Sequence, residues 1–154
     1  MSTRAPPAAV LERFHHAAIL VLRAMREVDE SGALSGPRAS ALSVLVFSGP
    51  QPLGALARAE GVKPPTMSRL VKEMRLDGLV EPLAPGADRR EVRIAASARG
   101  RRLLLEARAR RIAALARLLK GASPREAAAL ATVAGLVERA LRRKEMARAA
   151  KHAP

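Results

Sequence analysis

Apolar residues in the first thirty positions recur three and four apart: Val10, Phe14, Ala17, Ala18, Val21, Ala24, Met25 and Val28. That spacing predicts an amphipathic helix over 8–29. ESGALSGPR, with two glycines and a proline, ends it, and a second helix is predicted over 37–47 around Ala41, Leu42, Leu45 and Val46. SGPQP forces a turn. Two short helices follow, 53–60 and 64–76, joined across Gly61 and Val62, with Gly78 closing the second. LVEPL (79–83) and EVRIA (91–95) read as short strands around the turn-rich tip APGADRR. Ser97 is placed to cap a long helix over 98–119, in which Leu105, Ile112 and Leu119 lie seven apart with Leu115 between. GASPRE then restarts the chain with Ser123 as N-cap, Pro124 first in the helix and Glu126 third. The last predicted helix runs to about 143, with Leu130, Val133, Leu136, Val137, Ala140 and Leu141 on one side. Residues 1–7 read as a disordered start and 144–154 as a basic tail. There is no internal repeat.

Composition narrows the class. Phe14 and Phe47 are the only aromatic residues among 154, so the core must be leucine, valine and alanine, which favours helix packing over a β-sandwich. The length suits one domain with a real core. The absence of cysteine excludes disulfide frameworks, thiolate metal sites and thiol redox switching, and fits a cytoplasmic protein. Glu12, Arg13, His15 and His16 interrupt the N-terminal apolar residues, so no signal peptide is read there. AAILVL is too short to span a membrane. The net charge of +14 points to a polyanionic partner. Residues 54–95 hold 8 basic and 6 acidic side chains, however, against 15 and 4 in 98–154. Charge alone therefore does not locate a reading surface.

Spacing does. In LGALARAEGVKPPTMSRL, Leu56 is expected to face inward, and Ala57 to be small where a second helix crosses. Gly61, four residues on, supplies a backbone conformation that β-carbons disfavour. Val62, Met67 and Leu70 are expected to fill the space between the helices. This is the pattern of a helix-turn-helix; the alternative is an ordinary helical hairpin with a fortuitous glycine. Pro64 and Pro65 sit in the one turn that has no intrahelical acceptor for its amides, so they begin the helix rather than break it. Lys63 is a poor N-cap, and the prolines remove donors that would otherwise need caps. They also remove amides that would hold a phosphate, leaving contacts to side chains. At about 100° per residue, Met67, Leu70, Val71 and Met74 share one face. Pro65, Arg69 and Lys72 lie opposite, flanked by Thr66 and Ser68. Such a face suits a major groove, with Arg69 on guanine or phosphate; otherwise its charges are simply solvated. Leu76 also falls on the outward side, where local packing is expected to cover it.

A helix-turn-helix followed by a strand, a basic turn and a second strand forms a winged helix, and the chain resembles the MarR family of bacterial transcription regulators. The resemblance runs from about Leu34 to Gly100 through LSVLVFSGPQPLGALARAEGV, PPTMSRLVKEMRLDGLV and DRREVRIAASARG. The family pattern of Asp-x-Arg, apolar-x-apolar and Leu-Thr-x-x-Gly is met by Asp88-Arg89-Arg90, Val92-Arg93-Ile94 and Ala96-Ser97-Ala98-Arg99-Gly100. Ala96 departs from leucine, while Ser97 keeps a capping hydroxyl. The resemblance implies a mainly α fold with a small β-hairpin wing, flanked by dimerisation helices. It divides the chain into 1–36 (dimerisation helix and linker), 37–97 (DNA-binding domain), 98–143 (dimerisation helices) and 144–154. It implies double-stranded DNA as partner, a homodimer on a pseudo-palindrome, and an arginine of the wing in the minor groove, with Asp88 orienting it. Arg90 holds the patterned position and Arg89 is its rival; a merely soluble charged tip is the alternative. A small-molecule effector is implied where the reading head meets the dimerisation helices, with His15, His16 and Arg38 as candidate lining residues. Arg99, Arg101 and Arg102 open the long helix against its dipole, which leaves flanking phosphates as one use for them.

Catalysis finds no support. The three histidines show no metal-site spacing, no glycine-rich phosphate loop is present, and no serine has a histidine placed for a triad. No cofactor or metal is expected. A sequence-specific regulator, usually a repressor in this family, is the leading reading. An architectural or non-specific DNA-binding protein is the alternative, and a winged helix used only for protein contacts is a third.

Overall fold

The computed structural model describes residues 5–30, 34, 36–83 and 92–150. The predicted wing tip with Asp88, Arg89 and Arg90, and the predicted disordered start at residues 1–4, lie outside them. The elements are α1 (Ala8–Glu30), α2 (Gly36–Phe47), β1 (Gln51–Pro52), α3 (Leu53–Glu60), α4 (Pro64–Leu76), β2 (Val80–Leu83), β3 (Arg93–Ala96), α5 (Ala98–Leu118) and α6 (Pro124–Ala150). They form two units, residues 1–115 and 116–154.

The first unit is built on α2, α3 and α4 against an antiparallel sheet of order β1-β3-β2. β2 and β3 pair with Val80 opposite Ala96 and Leu83 opposite Arg93. The hairpin was expected to be two-stranded; β1 adds a third strand, pairing Gln51 with Ile94. A two-residue strand containing Pro52 carries no alternation to read, and proline is tolerated there because β1 is an edge. Arg93 fastens this edge by donating from Nη2 to the Pro50 carbonyl at 2.5 Å. The second strand also starts later than expected, at Arg93 rather than 91.

The core joins Leu42 and Leu45 of α2, Leu56 and Ala57 of α3, Met67 and Met74 of α4, and Val80 and Ile94 of the sheet. Met67 and Met74 are within 1% of complete burial, each contributing about 1.5–3 kcal/mol over an exposed side chain. Both helix ends in the helix-turn-helix close in the same way. Gly61 (φ 67°) donates to the Arg58 carbonyl and Val62 to that of Ala57. Gly78 (φ 68°) donates to Arg75 and Leu79 to Met74. These are paired Schellman bonds, for which the left-handed glycine is required. Val62, expected between the helices, is 39% exposed instead, because the turn that Gly61 makes carries it to the rim.

The junction from α4 to α5 is tight. Ser97 donates its amide to the Leu79 carbonyl and its hydroxyl, at 2.6 Å, to the Gly78 carbonyl, while that hydroxyl accepts from the Gly100 amide as N-cap of α5. Gly100 is buried against the same turn: a β-carbon there would stand 2.1 Å from the Leu79 carbonyl oxygen. At the far end of α1, Arg111 of α5 makes a two-pronged ion pair with Asp29, both bonds at 2.7 Å.

Not all apolar surface is used. On α5, Leu104 and Ala107 are buried, whereas the heptad stripe of Leu105 and Ile112 lies about 100° round the helix and stays exposed. On α1, Val10, Leu11, Phe14 and Leu22 are exposed. In the second unit, α6 starts with the predicted capping box: Ser123 and Glu126 exchange amide-to-side-chain bonds. The helix continues to Ala150, past the predicted end at 143, so the first part of the supposed basic tail is helical. Leu130, Val133, Leu136 and Leu141 of α6 are all exposed. Among the described residues, no helix is long and apolar enough to cross a membrane.

Candidate nucleic-acid interface

The surface of interest is the outward side of α4, whose position follows from its two ends. Lys63 precedes it in an extended conformation with no side-chain cap, and Pro64 and Pro65 occupy the first two helical positions. The first intrahelical bond is then from Met67 to the Lys63 carbonyl, at 3.2 Å. Buried Met67 and Met74, two turns apart, seat the helix on the core; Leu70 and Val71 pack beside them. Every residue expected on the reading face is exposed: Pro65, Thr66, Ser68, Arg69 and Lys72.

The helix has two different edges. On one, Ser68, Lys72 and Arg75 face the sheet across a cleft of about 340 Å³, floored by Leu53, Val71, Val80 and Ile94. Glu81 is the acidic residue among its lining side chains. On the other edge, Arg69 reaches back one turn to Glu73, with Nε 3.6 Å from Oε1. Glu73 is shared with Arg38 of α2, whose Nη2 is 3.7 Å from Oε2. Arg38 also donates from Nη1 to Asp77 Oδ2 at 2.6 Å. Arg75, Glu73 and Asp77 had not been singled out from the sequence. The i,i+4 spacing of Arg69 and Glu73 was a visible signal; the 39-residue separation of Arg38 and Asp77 was not.

Leu76, expected to be covered by local packing, is 79% exposed. It is the last residue of α4, and the chain turns away at Gly78 before any segment can fold over it. Of the residues placed in an effector cleft, His15 and His16 are exposed on α1, and Arg38 is occupied by the carboxylates of Glu73 and Asp77. Arg99, Arg101 and Arg102 are exposed in the first turns of α5. Among the described residues, no three histidine or carboxylate side chains gather where they would hold a metal ion.

The arrangement is a basic, polar helix face raised above an apolar core, with a sheet hairpin beside it. Residues 34–92 match the sequence model of the MarR family. No curated protein matches the chain. Among solved structures, it is similar to a MarR family protein from Bacillus stearothermophilus, at 24% identity and TM-score 0.72, over 92% of this chain and 94% of that one. It is similar to RV1404 from Mycobacterium tuberculosis, at 25% identity and TM-score 0.74, over 91% and 98%. The Multiple Antibiotic Resistance Repressor, MarR, shares 17% identity with a TM-score of 0.71, over 87% and 96%. Residues 34–92 thus match the MarR family, and the chain shares the fold of solved structures that carry that family's name.

Proposed function

We propose that this chain is a sequence-specific transcription regulator that acts in the cytoplasm as a homodimer on a pseudo-palindromic operator, as a repressor. The observation that carries this reading is the exposed set Thr66, Ser68, Arg69 and Lys72 on a helix whose opposite face is locked into the core. A helix of that kind presents hydroxyls, a guanidinium and an ammonium to base edges and phosphates without moving the fold. Because Pro64 and Pro65 donate no amide, specificity rests on these side chains. Arg90, with Asp88 and Arg89, belongs to the same proposal as the minor-groove contact of the wing. The name of the repressor among the similar structures supports the direction of regulation. The exposed apolar residues of α1 and α6 support a second copy of the chain as the partner that covers them.

The test is binding to the chain's own upstream region and to random duplex at rising salt. A regulator retains a specificity ratio of about 10³ or more. Equal loss on both DNAs would instead establish the non-specific reading, to which the basic excess of 98–154 lends its charge. Release by a small molecule at the face carrying His15 and His16 is part of the proposal. A thermal-shift screen checks it, since a true effector must both raise Tm and dissociate the operator complex.

A further inference from the structure

We infer that Arg38 is a positioning residue for the recognition helix, acting through Glu73 to set the orientation and effective charge of Arg69. The inference rests on the proposed reading of α4 as the DNA-contacting helix. Its basis is a chain of alternating charges, Asp77–Arg38–Glu73–Arg69, that links the N-terminal turn of α2 to the outward face of α4.

Each member is out of place without the next. Asp77 closes α4 at its C-terminal end, where the helix dipole repels a carboxylate. Glu73 stands one turn earlier and adds a like charge at i,i+4. Arg38 is the third residue of α2, where that helix's own dipole disfavours a cation. The fork geometry of one guanidinium resolves these conflicts together, with one terminal nitrogen on Asp77 and the other on Glu73. The carboxylate of Glu73 is divided in turn: Oε2 faces Arg38, and Oε1 faces Arg69.

Exposure gives the chain a direction. The side chain of Arg38 is 28% exposed, those of Asp77 and Glu73 about half, and that of Arg69 86%. The anchored end is held by α2, whose Ala39, Leu42 and Leu45 are buried in the core. The free end is a single long contact in water, the weakest kind of ion pair. Arg69 therefore exchanges Glu73 for a DNA acceptor at small cost, but it has to be offered a better partner. A diffuse phosphate field is a poor offer; a base edge or a well-placed phosphate is a good one. Glu73 in this way disfavours loose contacts, which makes it a repulsive element in discrimination. Arg38 keeps that penalty small, because without it the undivided charge of Glu73 would bear on Arg69.

The test uses the full chain, a duplex selected from a random pool by the wild-type protein, and a random duplex of equal length, titrated across salt concentrations. Arg38→Ala is expected to weaken binding about tenfold, with Arg38→Lys between it and wild type. Glu73→Gln is expected to tighten binding to random duplex several-fold, lower the specificity ratio and steepen the salt slope by about 1. The double variant Arg38→Ala/Glu73→Gln should return to within a few-fold of wild type, which a merely misfolded Arg38→Ala protein would not do. In an Arg69→Ala background, Arg38→Ala should change little. Equal loss in both backgrounds would mean a bulk charge effect and overturn the inference, as would failure of the Glu73→Gln rescue. If the wild-type chain selects no duplex at all, the regulator reading falls with it; if it selects one and the variants behave alike, only this inference falls.

Discussion

A β-carbon on Gly100 would press into the Leu79 carbonyl at 2.1 Å and against Leu42 at 3.0 Å, with backbone on one side that cannot rotate away. Gly100→Ala should therefore lower stability by about 2 kcal/mol or more in chemical denaturation, despite alanine's better helix propensity. Gly54→Ala is the control. Only the end of the Arg58 side chain comes near that position, at 3.7 Å, so a gain of about 0.5 kcal/mol is expected. Glu126 makes a second prediction. It accepts from the Ser123 hydroxyl and amide, each at 2.7 Å, and these bonds hold its carboxyl below the ordinary range. A lowered folded value means that the capping box is intact above the usual carboxylate range and is lost as pH falls through the lowered one. The amide resonance of Ser123 should titrate with that depressed midpoint, and Glu126→Gln should abolish the titration. The capping box was legible from four consecutive letters. The role of Gly100 was visible only through a family pattern, since its conflict is with a carbonyl 21 positions away.

At the scale of elements, the bounds of α3 and α4 are the ones expected, because glycine and proline punctuate them unambiguously. The same clarity exposes a gap: α4 has no side-chain cap. Lys63→Ser should supply an acceptor for the free Thr66 amide and raise stability by about 0.5–1 kcal/mol, measurable as a higher Tm. The elements that escaped prediction did so for physical reasons. β1 is two residues long and has no period. The end of α6 carries no glycine or proline to stop it, so the helix runs on through Arg142, Arg143 and Lys144 to Ala150. Leu76 shows the limit of a helical wheel, which gave its direction correctly and gave nothing about what would lie over it. The reading face was legible as a set of residues, but not its edges. The hold of Arg38 on Glu73 and Asp77 and the opening of a cleft beside Ser68 depend on α2 and the sheet, which no local pattern encodes.

At the scale of the molecule, the proposed homodimer rests on the apolar residues that each unit leaves exposed. Phe14 and Leu22 of α1, Ile112 of α5, and Leu130, Val133 and Leu136 of α6 are between 40% and 63% exposed. Surfaces of this kind on a monomer mark interaction sites. Leu136→Glu should shift the sedimentation equilibrium from dimer to the 16.4 kDa monomer and abolish operator binding, while leaving the helical circular dichroism of the first unit in place. An unchanged mass would send the search for the interface elsewhere. Within such a dimer, the junction at Leu79 acquires a further meaning. The end of α4 and the start of α5 share the carbonyls of Gly78 and Leu79, with Ser97 bridging and no room for a β-carbon at Gly100. A joint without slack makes α5 a ruler. In the proposed dimer, this fixed local joint between α4 and α5 is expected to hold the two reading helices at one separation, so that the spacer between operator half-sites is a length that can be tested. One inserted base pair, which rotates the second half-site by about a tenth of a helical turn, should cost more affinity than a mismatch within either half.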